Sequence, residues 1–224
     1  MVPTMREAFH EQLDSIFVDL AEICGRVRSA VSLATEALLT GDSETAERVI
    51  SADVDIDLAR ERIEEQAFEL LSLQQPVAGD LRVVVAALRM VTELERMGDL
   101  SVHVAKIARL RVPNVAVPTE VQPTMTRMAE VAEHMVEQLN KIIVDRDVAA
   151  AIELGRDDEV MDGLRRTSFL ELLSDDWTHG VEAAVDIALL GRYYERIADH
   201  AVSVANRVVF VVTGQNPSAV SVSS

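Results

Sequence analysis

Two stretches of this chain, one hundred residues apart, are versions of one segment. Glu95-Arg96-Met97-Gly98-Asp99 returns as Glu195-Arg196-Ile197-Ala198-Asp199, and Val102, Val104 and Ala105 return as Val202, Val204 and Ala205. Six of the twelve positions from 95 to 106 are identical to those from 195 to 206. A repeat of this length calls for a fold in which one structural unit is used twice. The repeated segment also carries acids at i and i+4. On a helix, like charges at that spacing repel by about 0.2–0.5 kcal/mol, so something holds them there, and a cation is the natural candidate.

Apolar residues recur at three-and-four spacing for some thirty residues at a time, far beyond the usual length of a strand. A first helix is expected from about Met5 to Leu39 on Leu13, Ile16, Phe17, Leu20, Ile23, Cys24, Val27, Val31, Ala34 and Leu38. Gly41-Asp42 ends it, with Asp42 as N-cap of the next. That second helix runs to about Leu73, with Val49, Ile56, Ile63, Phe68, Leu70 and Leu71 inward, and Gln74-Gln75-Pro76 breaks it. A third runs from about Val77 to Arg111 on Leu81, Val84, Val85, Leu88, Val91, Leu94 and Ile107. Pro113, Pro118 and Pro123 cannot be helix interior and mark a linker. The second half repeats the plan from about Gln122 to Val144, from Asp145-Arg146-Asp147 to about Leu173, and from about Trp177 to Val212. Met125, Met128, Val131, Met135 and Leu139 face the core of the fourth helix. The expectation is an all-α chain of two tandem, similar antiparallel three-helix bundles with six long helices. The first repeat takes 1–112, the linker 113–123, the second repeat 124–213, and a disordered Ser-rich tail 214–224.

Composition agrees with slim helices packed side by side: 49% of residues are hydrophobic and only 4% aromatic. The formal charge of −17 disfavours nucleic acid, which needs a basic face, and favours cations and basic protein surfaces. The single cysteine, Cys24, forms no internal disulfide and sits in an apolar stripe as a core residue. No apolar run reaches the length of a membrane span, and the first fourteen residues lack one altogether, so a cytoplasmic protein is expected. Neither GxxxxGK[ST] nor GxGxxG occurs, and no Ser/His/Asp arrangement stands out. His10, His134 and His179 read as surface or cap residues.

Hairpin geometry decides which acids meet. Folding the second and third helices back at about residue 75 sets 95 opposite 55 and 99 opposite 51, so Asp53 and Asp57 face Glu95 and Asp99. A turn near 176 sets 195 opposite 157 and 199 opposite 153, where Glu153, Asp157 and Asp158 lie. This matches Asp53 to Asp157 but Asp57 to Met161, leaving the second cluster of Asp157, Glu195 and Asp199 one acid short. All-oxygen donor sets suit hard cations such as Mg²⁺, Mn²⁺ or Ca²⁺ and oxygen-rich iron sites, and do not suit structural zinc. Salt bridges from Arg60, Arg62, Arg96 and Arg196 are the other reading of the same acids. His103 stands one turn beyond Asp99, while His200 follows Asp199 directly and faces elsewhere.

Gln75-Pro76-Val77-Ala78-Gly79-Asp80-Leu81-Arg82, then Glu93-Leu94-Glu95-Arg96-Met97-Gly98-Asp99, resembles the PhoU family of phosphate-uptake regulators. Glu195-Arg196-Ile197-Ala198-Asp199-His200-Ala201-Val202 looks like the same family's second motif. The resemblance covers nearly the whole chain and implies two similar three-helix bundles. It implies a cytoplasmic negative regulator of phosphate uptake and signalling, a non-enzyme acting by protein–protein binding. Its partners would be the ATPase of an ABC phosphate importer and a two-component sensor histidine kinase, and a homodimer is expected. It implies Fe, Mn or Zn at carboxylate motifs, with Mg the further candidate from the donor set, carried here by Asp53, Asp57, Glu95 and Asp99, and by Asp157, Glu195 and Asp199. The rivals are a carboxylate-ligated metalloenzyme of phosphohydrolase type and a metal-free structural adaptor.

Overall fold

The structure, a computed structural model, describes residues 5–74, 76 and 78–215. Six helices follow in order: α1 Met5–Thr40, α2 Ser43–Gln74, α3 Gly79–Arg111, α4 Gln122–Asp145, α5 Val148–Leu172 and α6 Gly180–Thr213. Among the described residues there is no strand, and no helix is long and apolar enough to cross a membrane. The expected tail falls largely on residues 216–224, outside the described residues.

Local chemistry sets several boundaries. Gly41, at φ +70°, turns the chain out of α1 while its N–H donates to the Ala37 carbonyl. Asp42 then caps α2: its carboxylate accepts the Glu44 and Thr45 N–H groups at 2.9 and 3.2 Å and the Thr45 hydroxyl at 2.6 Å. These bonds, the Thr45 hydroxyl first, hold the Asp42 carboxyl below its ordinary pKa. Asp147 caps α5 in the same way through the Ala149 and Ala150 N–H groups. Arg146 ends α4 at φ +52°, and its guanidinium lies 4.4 Å from the Phe17 ring centroid and 2.5 Å from Asp14.

Helices α1, α2 and α3 pack on one another, as do α4, α5 and α6. The two sets are joined through α1 on α4 and α3 on α6, and one continuous apolar cluster runs through both. Every inward residue expected on α1 and α4 is buried. On α2 and α3 the stripe differs. Phe68 is 60% exposed, and Leu81 and Val85 are exposed as well. The buried α2 stripe passes through Val49, Ile56, Ile63, Ala67 and Leu70, so Phe68, one residue past Ala67, lies about 100° around the helix. Val84 and Val91 fill the core from α3, which turns Val85, and Leu81 one turn before it, outward. Helix α6 begins at Gly180, not at Trp177, because the Trp177 indole N–H donates 2.9 Å to the Gly180 carbonyl and closes a loop there. The segment between α3 and α4 is not a loose tether: Ala116, Val117 and Val121 are buried in the common core.

Helices α3 and α6 run antiparallel. Arg82 at the start of α3 lies over the Phe210 ring near the end of α6. Arg111 at the end of α3 holds Asp186 near the start of α6, at 2.6 and 3.1 Å, and also pairs with Glu182. Between these ends Glu93 Oε2 meets His200 Nδ1 at 2.6 Å and His103 stacks on Tyr193. The Tyr194 hydroxyl bonds Thr35 of α1 at 2.8 Å, and Cys24 donates to the Val136 carbonyl.

Candidate carboxylate clusters on the α2–α3 and α5–α6 pairs

The repeated motif is helical in both copies, and its apolar positions anchor it. Leu94, Met97 and Gly98 are buried in α3; Tyr194, Ile197 and Ala198 are buried in α6. That leaves Glu95 and Asp99, and Glu195 and Asp199, on the faces turned to α2 and α5. Because Glu93 touches His200 and His103 touches Tyr193, both motifs sit at the same level of the antiparallel pair.

In the first repeat, Asp53, Asp57, Glu95 and Asp99 come together as the hairpin requires. The approach is close because residue 98 is glycine. A Cβ there would lie 2.9 Å from Ile56 Cδ1 and 3.4 Å from Asp53 Oδ1. The electrostatics record the crowding. Burial, then the charges of Asp99 and Asp57, push the Asp53 carboxyl from its ordinary 3.8 up to about 6, with Lys106 opposing. Burial and Asp99 likewise raise Glu95, against Arg60 and Arg96, and Asp57 adds to the rise. Arg60 is only a distant counter-ion, its Nε 3.9 Å from Glu95, because its Nη1 is bound to both oxygens of Glu64 at 2.9 Å.

In the second repeat the structure brings different α5 residues to the motif. Asp158 and Asp162, not Asp157, face Glu195 and Asp199. Burial, then Asp199, Asp162 and Glu195, push the Asp158 carboxyl up to about 6, and burial followed by Glu195 raises Asp199. Asp157 lies with Glu153 and His134 along a recess of about 300 Å³ between α4 and α5, away from the motif. Met161 is fully buried, the counterpart of the buried Ile56, and faces the core rather than the acids. The second cluster is therefore not one acid short. Its α5 residues sit 105 positions after their α2 equivalents, whereas the α6 motif sits 100 after that of α3. The offset arises because α5 ends sooner after its acid pair than α2 does, although the α5–α6 loop is the longer of the two. On α5 both Glu153 with Asp157 and Asp158 with Asp162 are i, i+4 acid pairs, so spacing alone does not choose between them.

The donor chemistry of the first cluster suits a hard divalent or iron cation, since four carboxylates repel and little positive charge offsets them. Among the described residues, no group of three or more His, Cys, Asp or Glu side chains is arranged to hold a metal ion as it stands, so ligation requires these side chains to turn inward. The second cluster fits a cation poorly. Glu195 is buried, its Oε1 accepts from Arg165 at 2.7 Å, and its Oε2 pairs with Arg192. His103 is engaged with Tyr193 and His200 with Glu93.

Two helical repeats that share a core and present matching acidic clusters, one within each repeat, define a tandem three-helix-bundle protein. The PhoU domain matches residues 20–108 and 125–208, once for each repeat. The chain belongs to the PhoU family. It is 47% identical over 213 residues to the phosphate-specific transport system accessory protein PhoU homolog 2 of Mycobacterium bovis, covering 95% of this chain and all of that one. It is 46% identical to homolog 1 of Mycobacterium leprae, over 95% of this chain and 96% of that one. Two crystal structures share the fold. PhoU from Pseudomonas aeruginosa has a TM-score of 0.83 at 26% identity, covering 92% of this chain and all of that one. The phosphate transport system regulatory protein PhoU from Streptococcus pneumoniae has a TM-score of 0.84 at 25% identity, over 93% of this chain and 98% of that one. The relatives are named as accessory proteins, not as enzymes, in keeping with an association with phosphate transport.

Proposed function

We propose that this chain is a cytoplasmic negative regulator of phosphate uptake and phosphate signalling. It acts by protein–protein contact between the ATPase of an ABC phosphate importer and a two-component sensor histidine kinase, as a homodimer and without chemistry of its own. Membership of a family whose relatives carry the name of phosphate-transport accessory proteins is the observation that carries this reading. The formal charge of −17 favours basic partner surfaces. A divalent or iron cation at Asp53, Asp57, Glu95 and Asp99 relieves the repulsion recorded in the raised Asp53 and Glu95 carboxyls and draws α2 toward α3. Occupancy then sets the spacing of the two helices and the surface offered to a partner.

The test is a strain lacking this gene that carries a phosphate-responsive reporter, complemented with wild type or with Glu95→Gln/Asp99→Asn. Wild type silences the reporter in high phosphate and retains the kinase and the ATPase in pull-downs; the variant does neither fully. A deletion strain with a normal reporter in both phosphate conditions would refute the regulatory role. A variant that matches wild type in both partner binding and metal content would refute the part given to the carboxylates.

A further inference from the structure

The two repeats hold the same carboxylates but not the same counter-charge. Arg60 and Arg165 are equivalent by the 105-residue offset, and each stands beside the motif glutamate of its own repeat. Their guanidinium groups go to different places. Arg60 is drawn away by Glu64, which accepts two bonds from its Nη1, and stays 3.9 Å from Glu95. The residue equivalent to Glu64 is Phe169. With no carboxylate there, the Arg165 guanidinium lies 5.4 Å from the Phe169 ring centroid and donates 2.7 Å to Glu195. A second difference adds to the first. Position 192 is Arg and pairs with the other oxygen of Glu195, whereas its equivalent, Thr92, spends its hydroxyl on the Leu88 carbonyl. The motif glutamates differ accordingly: the Glu195 side chain is 8% exposed and Glu95 is 25% exposed.

We propose that Arg165 and Arg192 are the built-in cations of the second repeat, so that Asp158, Asp162, Glu195 and Asp199 take no metal. A buried carboxylate whose two oxygens each meet a guanidinium is already neutralised and desolvated. A metal ion would have to displace two such bonds to reach it. The first cluster asks for no such displacement, because Glu64 has already taken Arg60. Two substitutions between the repeats, Glu64 against Phe169 and Thr92 against Arg192, thus separate a cation-accepting cluster from a self-neutralised one. Under this assignment the second repeat keeps its helix spacing whether or not metal is present, and only the first responds to metal supply.

The inference rests on the cation reading of the first cluster, and the experiment separates the two. Full-length protein stripped with chelator is dialysed against Mn²⁺ and its bound metal measured, with circular dichroism as a control for folding. Wild type is expected to bind Mn²⁺, Asp53→Asn/Asp57→Asn to lose it, and Asp158→Asn/Asp162→Asn to retain it. Arg165→Gln/Arg192→Thr is expected to double the bound metal and to gain a larger upward shift in melting temperature on Mn²⁺ addition than wild type. Conversely, Glu64→Phe/Thr92→Arg is expected to abolish binding. If Asp158→Asn/Asp162→Asn lowers bound Mn²⁺ as much as Asp53→Asn/Asp57→Asn, the assignment is overturned while the cation reading stands. If the arginine variant folds and gains nothing, the assignment is likewise overturned; if it does not fold, the paired Asp variants decide. If wild type and every variant bind no Mn²⁺, both the cation reading and the assignment fall.

Discussion

Replacing Asp53 with Asn in metal-stripped protein is expected to stabilise the fold at neutral pH. In the folded chain the Asp53 carboxyl titrates near 6 against an ordinary 3.8, raised by burial and by Asp99 and Asp57. Between these values the folded state holds a proton that the unfolded state has released. Stability therefore falls as pH rises through the window from about 4 to 6, and the penalty is full above it and absent below it. A shift of that size corresponds to about 3 kcal/mol. Solvent screening at a half-buried position reduces it to about 1–2 kcal/mol. Asn keeps the shape and removes the charge, so Asp53→Asn should gain about 1–2 kcal/mol over wild type at pH 7.5 and nothing at pH 4. Urea denaturation followed by circular dichroism, at a series of pH values and with chelator present, reads the difference directly. Added Mn²⁺ should reverse the order, because the variant lacks a carboxylate for the cation to neutralise. A variant equal to or weaker than wild type at pH 7.5 in chelator, or an advantage independent of pH, would refute the argument that these acids repel one another across the α2–α3 contact.

Arg111→Ala strands Asp186, which is 5% exposed, and should cost about 3 kcal/mol. Arg111→Ala/Asp186→Asn should recover a large part of this in urea denaturation, and equal losses in both variants would contradict the pairing. Gly98→Val should cost about 2 kcal/mol through overpacking against Ile56. Gly98→Ala with Ile56→Met, the combination the second repeat uses as Ala198 and Met161, should be at least as stable as wild type, since Ala favours helix over Gly by about 1 kcal/mol. Tyr194→Phe removes the bond to Thr35 across the seam and should cost about 1 kcal/mol, read as a lower melting temperature.

Much of this molecule is legible without coordinates. The apolar period in α1 and α4, the cap at Asp42 and the repeated motif are local or periodic signals, and each depends only on residues a few positions apart. The resemblance to the family rests on such short motifs too. What escaped was whatever depended on register between elements. Phe68, Leu81 and Val85 are apolar, yet their angular position on a helix follows from which neighbours fill the core. Asp157 and Asp158 are adjacent acids, and a shift of one residue turns a helical side chain by about 100°. Their assignment therefore required where α2 and α5 end as well as the length of the loops that follow, which no single repeat spacing describes.

The amino-acid sequence alone determined the helices, their duplication and the kind of residue at each motif, because period, capping and repetition act along the chain. Only the tertiary structure decided that Asp158 and Asp162 join Glu195 and Asp199. It also decided that Glu64 draws Arg60 aside while Phe169 leaves Arg165 on its glutamate, and that His200 meets Glu93 across the seam. Contacts between helices depend on how far each is rotated and displaced against its neighbour, and packing of the whole core sets those values.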